Sequence, residues 1–212
     1  MSTTRSKRLT YHCAKDPTTT TFATVDAAFA DLPRYYSTYG WCIHVAGAAW
    51  SWRCSRTRIQ THSACESGYY AIDDLVRESQ FASKMFNDLN LIFPQPLSVL
   101  EDNMGAIALT SGPSPHHQRT KHIGLRYHYV RDLVRAGCVR FQHQDTQEQP
   151  ADLLTKLLPE PAHTKHAEVL LGLRQVKIHQ RPLPLSTRIY LQLHNEQLEK
   201  TQAEMTQRSS FN

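Results

Sequence analysis

Two adjacent carboxylates, Glu101 and Asp102, follow a short apolar run in the middle of the chain. The run, LSVL at 97–100, is typical of a buried strand, and the small and apolar residues after Asn103 favour a helix. Open α/β sheets place their ligands at the carboxyl ends of strands, just before the next helix. The spacing therefore indicates a ligand near Asp102, although such an aspartate taken alone is more often a turn or capping residue.

A further carboxylate, Asp152, lies in the segment QPADLLTK at 149–156. It falls in the first turn of a predicted helix, where the helix dipole stabilises a negative charge. A capping role would therefore explain Asp152 taken alone, without any chemistry.

Basic residues follow the loop at 111–117, where an amphipathic helix is predicted to begin. They are Arg119, Lys121, His122 and Arg126. Backbone N–H groups and cations at a helix N-terminus suit a phosphate, but a solvent-facing turn fits these residues equally well. Two interpretations also fit the basic run at 53–62: an edge that contacts phosphate, or a solvated loop.

Hydrophobic periodicity predicts the elements that position these side chains. The segments 41–45 and 49–52, separated by Gly47, are typical of an antiparallel hairpin. The longest helix is predicted over 66–89, a further strand over 139–142 and a last helix over 162–173. Gly137 is expected to end the helix that precedes the last strand.

The composition fits one globular domain. A chain of 212 residues, 40% hydrophobic and 20% charged, can bury one sizeable core. No apolar run approaches the ~18 residues of a membrane span, and the N-terminus lacks the apolar segment of a secretory signal. Five cysteines without CxxC spacing predict reduced thiols in an intracellular protein. The net charge of +5 permits a polyanionic partner.

Three segments together resemble a known family. EDNMGAIAL at 101–109, RTKHIGLRYHYVR at 119–131 and PADLLTKLLP at 150–159 are similar, in order and spacing, to motifs of the ribonuclease H domain of copia-type retrotransposon polyproteins. FATVDAAF at 22–29 resembles the family's first motif, with Asp26 at its first aspartate. The resemblance covers roughly 22–173. It implies an α/β fold: a ribonuclease H-like mixed five-stranded sheet flanked by helices, with the first three strands antiparallel.

The resemblance also implies a chemistry. Such domains hydrolyse the RNA strand of RNA–DNA hybrids with two Mg²⁺ ions. Magnesium prefers oxygen ligands, which Asp26, Asp102 and Asp152 would supply here. Three carboxylates, each inside its matching motif, favour a metal site over three separate capping roles. The nucleic-acid-binding residues that the resemblance implies are Arg119, Lys121, His122 and Arg126.

The chain departs from the family pattern at three acidic positions. Gly68 stands where the family's long helix carries a metal-binding glutamate, and Ala28 and Gly124 replace two other acidic residues. Glu66 is two residues from Gly68, about 200° around a regular helix, and would point away from that face. Because a lost carboxylate weakens Mg²⁺ binding, we expect impaired cleavage. The alternative is a catalytically inactive nucleic-acid-binding or structural remnant.

The same comparison of motifs predicts the domain boundaries and the partners. Residues 1–20 are expected to be a lead-in of uncertain order, 21–174 the ribonuclease H-like domain and 175–212 a loosely packed or disordered tail. The implied partners are an RNA–DNA hybrid and the reverse transcriptase domain of the parent polyprotein, with no membrane. The expected location is the cytoplasm or a virus-like particle.

Overall fold

Five strands form a single mixed sheet in the computed structural model, which describes residues 7–12, 20–111, 121–176 and 178, without the side chains of 111 and 121–126. The strands are β1 (Phe22–Ala28), β2 (Thr38–Val45), β3 (Ala48–Arg56), β4 (Leu97–Glu101) and β5 (Val139–His143). Their order is β3-β2-β1-β4-β5. β1, β2 and β3 pair antiparallel, whereas β4 pairs parallel with both β1 and β5. The predicted mixed five-stranded sheet is confirmed.

Within the described residues, four α-helices cover the two faces of this sheet. They are α1 (Ala64–Asp88), α2 (Met104–Ser111), α3 (Lys121–Arg135) and α4 (Glu160–Leu170). The main core lies under α1, α2 and α3, whereas α4 packs on the other face through Val169. Side chains alternate along a strand, so Val99 enters the main core and Leu100 the core under α4. None of the helices in the described ranges is long and apolar enough to cross a membrane.

Two chain segments outside the predicted 21–174 domain contact it. The backbone N–H of Thr10 donates to the carbonyl of Leu171 at 2.8 Å. Val176 and Ile178 pack against the core under α4. Residues before position 21 and after position 174 thus contact the predicted domain.

The glycine predicted to end the helix before the last strand does so. Gly137 has a φ of +71°, a backbone conformation that residues with a Cβ rarely adopt. Its N–H donates to the carbonyl of Val134, and the N–H of Cys138 donates to that of Leu133. These bonds satisfy carbonyls at the end of α3 and turn the chain into β5.

His44 makes stability depend on pH. Its side chain is fully buried and stacks on Phe22 at 4.2 Å between ring centroids. Neither ring nitrogen has a hydrogen-bond partner among the described residues, and burial lowers the pKa of His44 to about 3. An unfolded histidine has a pKa of about 6.5, so between these values only the unfolded chain takes up the proton, and stability is lost as the pH falls below about 6.5.

We therefore expect His44→Phe to flatten the acid side of the stability profile. One proton taken up only on unfolding changes stability by about 1.4 kcal/mol per pH unit, or about 2 kcal/mol between pH 6.5 and pH 5. Urea unfolding at both pH values measures the difference. His163→Gln, at an exposed position on α4, is the control and should keep the parent's slope. An unchanged slope in His44→Phe would assign the acid sensitivity to other groups.

Candidate metal centre

The carboxyl ends of β1 and β4 diverge and leave a crevice in the sheet. The parallel pairing of these strands runs from Phe22 opposite Ser98 to Thr24 opposite Leu100. Beyond that point β1 remains paired only with β2, on its other side. Because β1 is where the strand order reverses, this is the position at which open sheets bind ligands.

Three aspartates converge on this crevice from three different elements. Asp26 lies in β1, Asp102 directly follows β4, and Asp152 lies in a 3₁₀ helix at Pro150–Leu154. One carboxylate oxygen of each lies within 4.8 Å of those of the other two. Asp26 and Asp152 are only 3% and 5% exposed. The structure thus brings together the three aspartates of the motifs, although Asp152 belongs to a short 3₁₀ helix and not to a regular α-helix.

Gln149 links the two strands to the segment that carries Asp152. Its fully buried amide donates from Nε2 to the carbonyl oxygens of Val25, at 3.1 Å, and Leu100, at 3.2 Å. Its Oε1 accepts a hydrogen bond from the N–H of Ala151. Gln149 therefore holds β1, β4 and the 3₁₀ helix in one arrangement. No local pattern predicts this role of Gln149, and its one signal in the sequence is a side-chain amide just ahead of Asp152.

We expect Gln149→Met to weaken both the fold and metal binding. Methionine fills a similar volume but leaves two buried carbonyls without these donors, which costs about 1–3 kcal/mol. The free energy of unfolding and the Mn²⁺ affinity measure the two effects. Gln142→Met is the matched control, because among the described residues the Gln142 amide bonds only the Ser98 hydroxyl and joins no third element. Equal losses in both variants would contradict the linking role of Gln149.

Lys156 supplies a positive charge inside the carboxylate cluster. Its Nζ lies 2.8 Å from Asp152 Oδ1 and 3.4 Å from Asp26 Oδ1. Thr155 adds a short hydrogen bond from its hydroxyl to Asp26 Oδ2. Burial acts to lower the pKa of Lys156, but the hydrogen bond that Lys156 donates to Asp152 and the charge of Asp26 outweigh it and raise this pKa overall. Lys156 belongs to the motif at 150–159, but this contact was not predicted from the sequence.

One lysine does not balance three carboxylates. Burial raises the pKa of Asp152 to about 6; Lys156 opposes the rise, and the charges of Asp26 and Asp102 add to it. The ion pair thus keeps Lys156 charged, but it does not fully cancel the rise that burial causes in the pKa of Asp152. The cluster keeps an excess of negative charge that a divalent cation would neutralise.

Glu101 adds a fourth carboxyl group beside the cluster. It is 1% exposed, and its Oε1 accepts a hydrogen bond from the N–H of Asn103 at 3.0 Å. Its Oε2 is buried and has no hydrogen-bond partner in the part of the chain that the structure describes. Burial raises the pKa of Glu101 well above its ordinary value; the Asn103 N–H opposes this rise, and the charges of Asp102 and Asp26 and a side-chain contact with Asp102 add to it.

These residues fit a divalent cation with a preference for oxygen ligands. The ligand atoms offered by Asp26, Asp102 and Asp152 are all carboxylate oxygens, the kind that hard cations prefer. The cluster carries more negative than positive charge, and a buried oxygen of Glu101 lacks a partner among the residues described. Asp26, Asp102 and Asp152 are the residues that would hold such a cation.

Gly68 lies where α1 and α2 approach each other closely. A Cβ at this position would lie 3.1 Å from the Cβ of Ala106 and 3.7 Å from Nδ2 of Asn103. The position therefore faces the residue that follows Asp102. A larger side chain at 68 would enter this part of the site only if α2 gave way slightly.

The side chain of Glu66 caps the start of α1. Its carboxylate accepts a hydrogen bond from the N–H of His62 at 2.7 Å, and its own N–H donates to the Ser63 hydroxyl. This is close to a capping box, which satisfies backbone donors at a helix N-terminus. The carboxylate of Glu66 is thus engaged at the start of the helix.

The predicted nucleic-acid-binding residues are only partly covered by the structure. Arg119 lies outside the described residues, and Lys121, His122 and Arg126 lie in the first turns of α3 with their side chains outside the description. In the other basic run, Arg53 pairs with Asp74 at 3.2 Å, and the Arg56 guanidinium lies 4.6 Å from the ring centroid of Tyr36. These two arginines thus have partners on their own surface.

Comparisons with known proteins identify relatives in transposons. The chain is 32% identical over 143 residues to the retrovirus-related Pol polyprotein from transposon RE1 of Arabidopsis thaliana, a match that covers 67% of this chain and 10% of that protein. It is 31% identical over 144 residues to the corresponding polyprotein from transposon TNT 1-94 of Nicotiana tabacum, covering 68% and 11%. The chain thus spans about a tenth of the length of these curated relatives. No protein-family model matches it.

Among solved structures, the chain is similar to LC11-RNase H1 in complex with an RNA/DNA hybrid. The match has 15% identity and a TM-score of 0.47, and covers 64% of this chain and 93% of the other.

Proposed function

Because this chain belongs to the family of retrovirus-related Pol polyproteins from copia-type transposons, we propose that it is a ribonuclease H domain that hydrolyses the RNA strand of RNA–DNA hybrids. The observation that carries the proposal is the convergence of Asp26, Asp102 and Asp152 within 4.8 Å at the reversal point of the sheet. Each comes from a separate motif, so the cluster exists only because the fold assembles it.

The three aspartates would hold two Mg²⁺ ions, which when bound would activate the attacking water and stabilise the leaving oxygen. The chain's own contribution is to keep its ligands in place. Gln149 fixes the 3₁₀ helix of Asp152 to the two strands, and Thr155 and Lys156 orient the carboxylate of Asp26. Ligands held in position in this way avoid reorganisation during the reaction.

The activity is expected to be lower than that of relatives with a glutamate at position 68. Gly68 supplies no carboxylate, and Glu66 is engaged in capping α1. A site with fewer fixed negative ligands binds Mg²⁺ more weakly and positions water less well. In its parent polyprotein the domain would work with a reverse transcriptase domain, in the cytoplasm or in a virus-like particle.

Strand-specific cleavage tests this function. The chain would be incubated with labelled RNA–DNA hybrid, RNA duplex and DNA duplex in Mg²⁺, in Mn²⁺ and in EDTA. We expect slow, metal-dependent cleavage of the RNA strand of the hybrid and of nothing else. No cleavage of hybrid in either metal, with protein in excess over substrate, would reject the enzymatic function.

We expect binding of the hybrid to depend on salt and to be nearly independent of sequence. Three of the basic residues at 119–126 belong to the first turns of α3, and Arg119 precedes them in the sequence. Phosphate contacts release counterions when they form. For three or four such contacts, affinity should fall on the order of tenfold to a hundredfold between about 50 and about 200 mM salt. Fluorescence anisotropy with two unrelated hybrid sequences measures both effects. An affinity that is flat with salt would contradict phosphate binding.

The second candidate is an inactive domain that only binds nucleic acid. Gly68 is the observation that favours it, because a metal-binding carboxylate is absent from that position. The two candidates differ in the cleavage assay and not in the binding assay. Binding without cleavage in either metal would support the inactive domain.

A further inference from the structure

One oxygen of the buried Glu101 carboxyl group has no hydrogen-bond donor within the described part of the chain. Glu101 is the last residue of β4, and its Oε1 is satisfied by the N–H of Asn103. Its Oε2 is equally buried and has no donor within the described ranges. Buried polar groups are almost always hydrogen-bonded, and buried charges are paired or bind metal ions. An unpartnered carboxylate oxygen at the edge of an acidic cluster is therefore placed to bind a cation.

The direction of the side chain places Glu101 on the α1 side of the site. Side chains alternate along a strand, so Glu101 shares a face with Leu97 and Val99, both in the main core under α1. Position 68 of α1 faces Asn103, whose backbone N–H bonds the Glu101 carboxylate. Glu101, on the sheet, and residue 68, on α1, thus face the same region of the site.

We infer that Glu101 is a further metal ligand of the Asp26–Asp102–Asp152 cluster, and that it supplies from β4 the carboxylate that Gly68 cannot supply from α1. The inference rests on the proposed two-metal function. It gives the unpartnered Oε2 a cation as its partner. It also explains how the site could retain divalent-metal binding without a carboxylate at position 68.

Glu101→Gln tests this role, because glutamine keeps the shape and the Asn103 hydrogen bond but removes the charge. Mn²⁺ binding would be measured by calorimetry, and thermal melting would be followed in EDTA. We expect Mn²⁺ affinity to fall at least about tenfold. The melting temperature in EDTA should rise or stay unchanged, because glutamine needs no proton or cation to be neutral in this buried position. A purely structural glutamate would give the opposite pattern: a lower melting temperature and unchanged affinity.

Two further variants keep the test decisive. Glu66→Gln is the matched control, because its carboxylate lies in α1 and caps the helix; it should bind Mn²⁺ like the parent. Glu101→Asp keeps the charge on a shorter side chain, and we expect it to retain more affinity than Glu101→Gln. Parent-like Mn²⁺ binding by Glu101→Gln would overturn the inference, and so would a parent chain that binds no Mn²⁺.

The outcomes separate this inference from the proposed function. Mn²⁺ binding that depends on Glu101 in a chain that cleaves no hybrid would reject the enzymatic function and keep the ligand assignment. Hybrid cleavage with full Mn²⁺ affinity in Glu101→Gln would reject the ligand assignment and keep the function.

Discussion

Asp102→Asn is expected to reduce cleavage of RNA–DNA hybrid at least ~100-fold and to lower Mn²⁺ affinity by a similar factor. Changes to residues that merely support a metal ligand already cost about 10–100-fold, so the loss of a charged ligand should reach at least the upper end. Asp102 is the carboxylate at the crevice between β1 and β4, next to both Asp26 and Asp152. Asparagine keeps an oxygen there but not the charge.

The same variant should leave the fold intact. In the absence of metal, the negative charge of Asp102 raises the pKa values of Asp152 and Glu101. Removing that charge relieves repulsion, so the melting temperature in EDTA should be unchanged or higher. Loss of activity together with loss of cooperative unfolding would mean that Asp102 is needed for folding, contrary to this account.

Asp132→Asn is the control, because it replaces an aspartate with asparagine outside the site. Asp132 pairs with Arg135 on the exposed surface of α3, where ion pairs contribute little to stability. Cleavage and Mn²⁺ affinity should match those of the parent. A comparable loss in this variant would show that the assay responds to the overall charge and not to the site.

Local patterns in the sequence predicted most of the fold. The alternation of apolar residues in β2 and β3 and the helical spacing in α1 and α3 are short-range signals, and the structure has these elements close to the predicted ranges. Gly137 ended its helix as predicted because its role depends on its own backbone conformation. The three aspartates were found through motifs, since nothing in their local spacing indicates that they meet.

Local sequence patterns could not predict the contacts that organise the site. Gln149 bonds a carbonyl 124 residues earlier, and Lys156 pairs with Asp26 across 130 residues. Such contacts depend on how β1, β4 and the 3₁₀ helix are arranged in space. The unpartnered oxygen of Glu101, which has no donor among the described residues, could not be predicted either, because burial of that atom is a property of the assembled fold.

The effect of substituting Gly68 could not be predicted fully from the sequence either. From sequence alone, Gly68→Glu should restore a ligand and also stabilise α1 by about 1 kcal/mol, the usual helix cost of glycine. The structure adds a steric term, because the new Cβ would lie 3.1 Å from the Cβ of Ala106. Overpacking of this kind typically costs about 1–3 kcal/mol. The single variant is therefore expected to gain less activity than the sequence suggests, and to melt at a lower temperature than the parent.

Combining Gly68→Glu with Ala106→Gly should remove this conflict. The second change deletes the Cβ that the first one meets, and its helix cost of about 1 kcal/mol is offset by the helix gain at position 68. We expect the double variant to melt near the parent and to cleave hybrid at least ~10-fold faster. Initial rates in saturating Mg²⁺ and melting temperatures in EDTA measure the two effects.

Gly68→Gln combined with Ala106→Gly is the matched control, because it has the same shape and packing without the charge. If the gain comes from a restored metal ligand, the glutamine variant should keep the parent's rate and the parent's Mn²⁺ affinity. Equal gains from glutamine and glutamate would mean that the benefit is better packing of α1 on α2. In the Glu101→Gln background, adding Gly68→Glu together with Ala106→Gly should recover part of the lost Mn²⁺ affinity, because both carboxylates approach the same side of the cluster. No recovery there would mean that the two positions do not serve the same metal site.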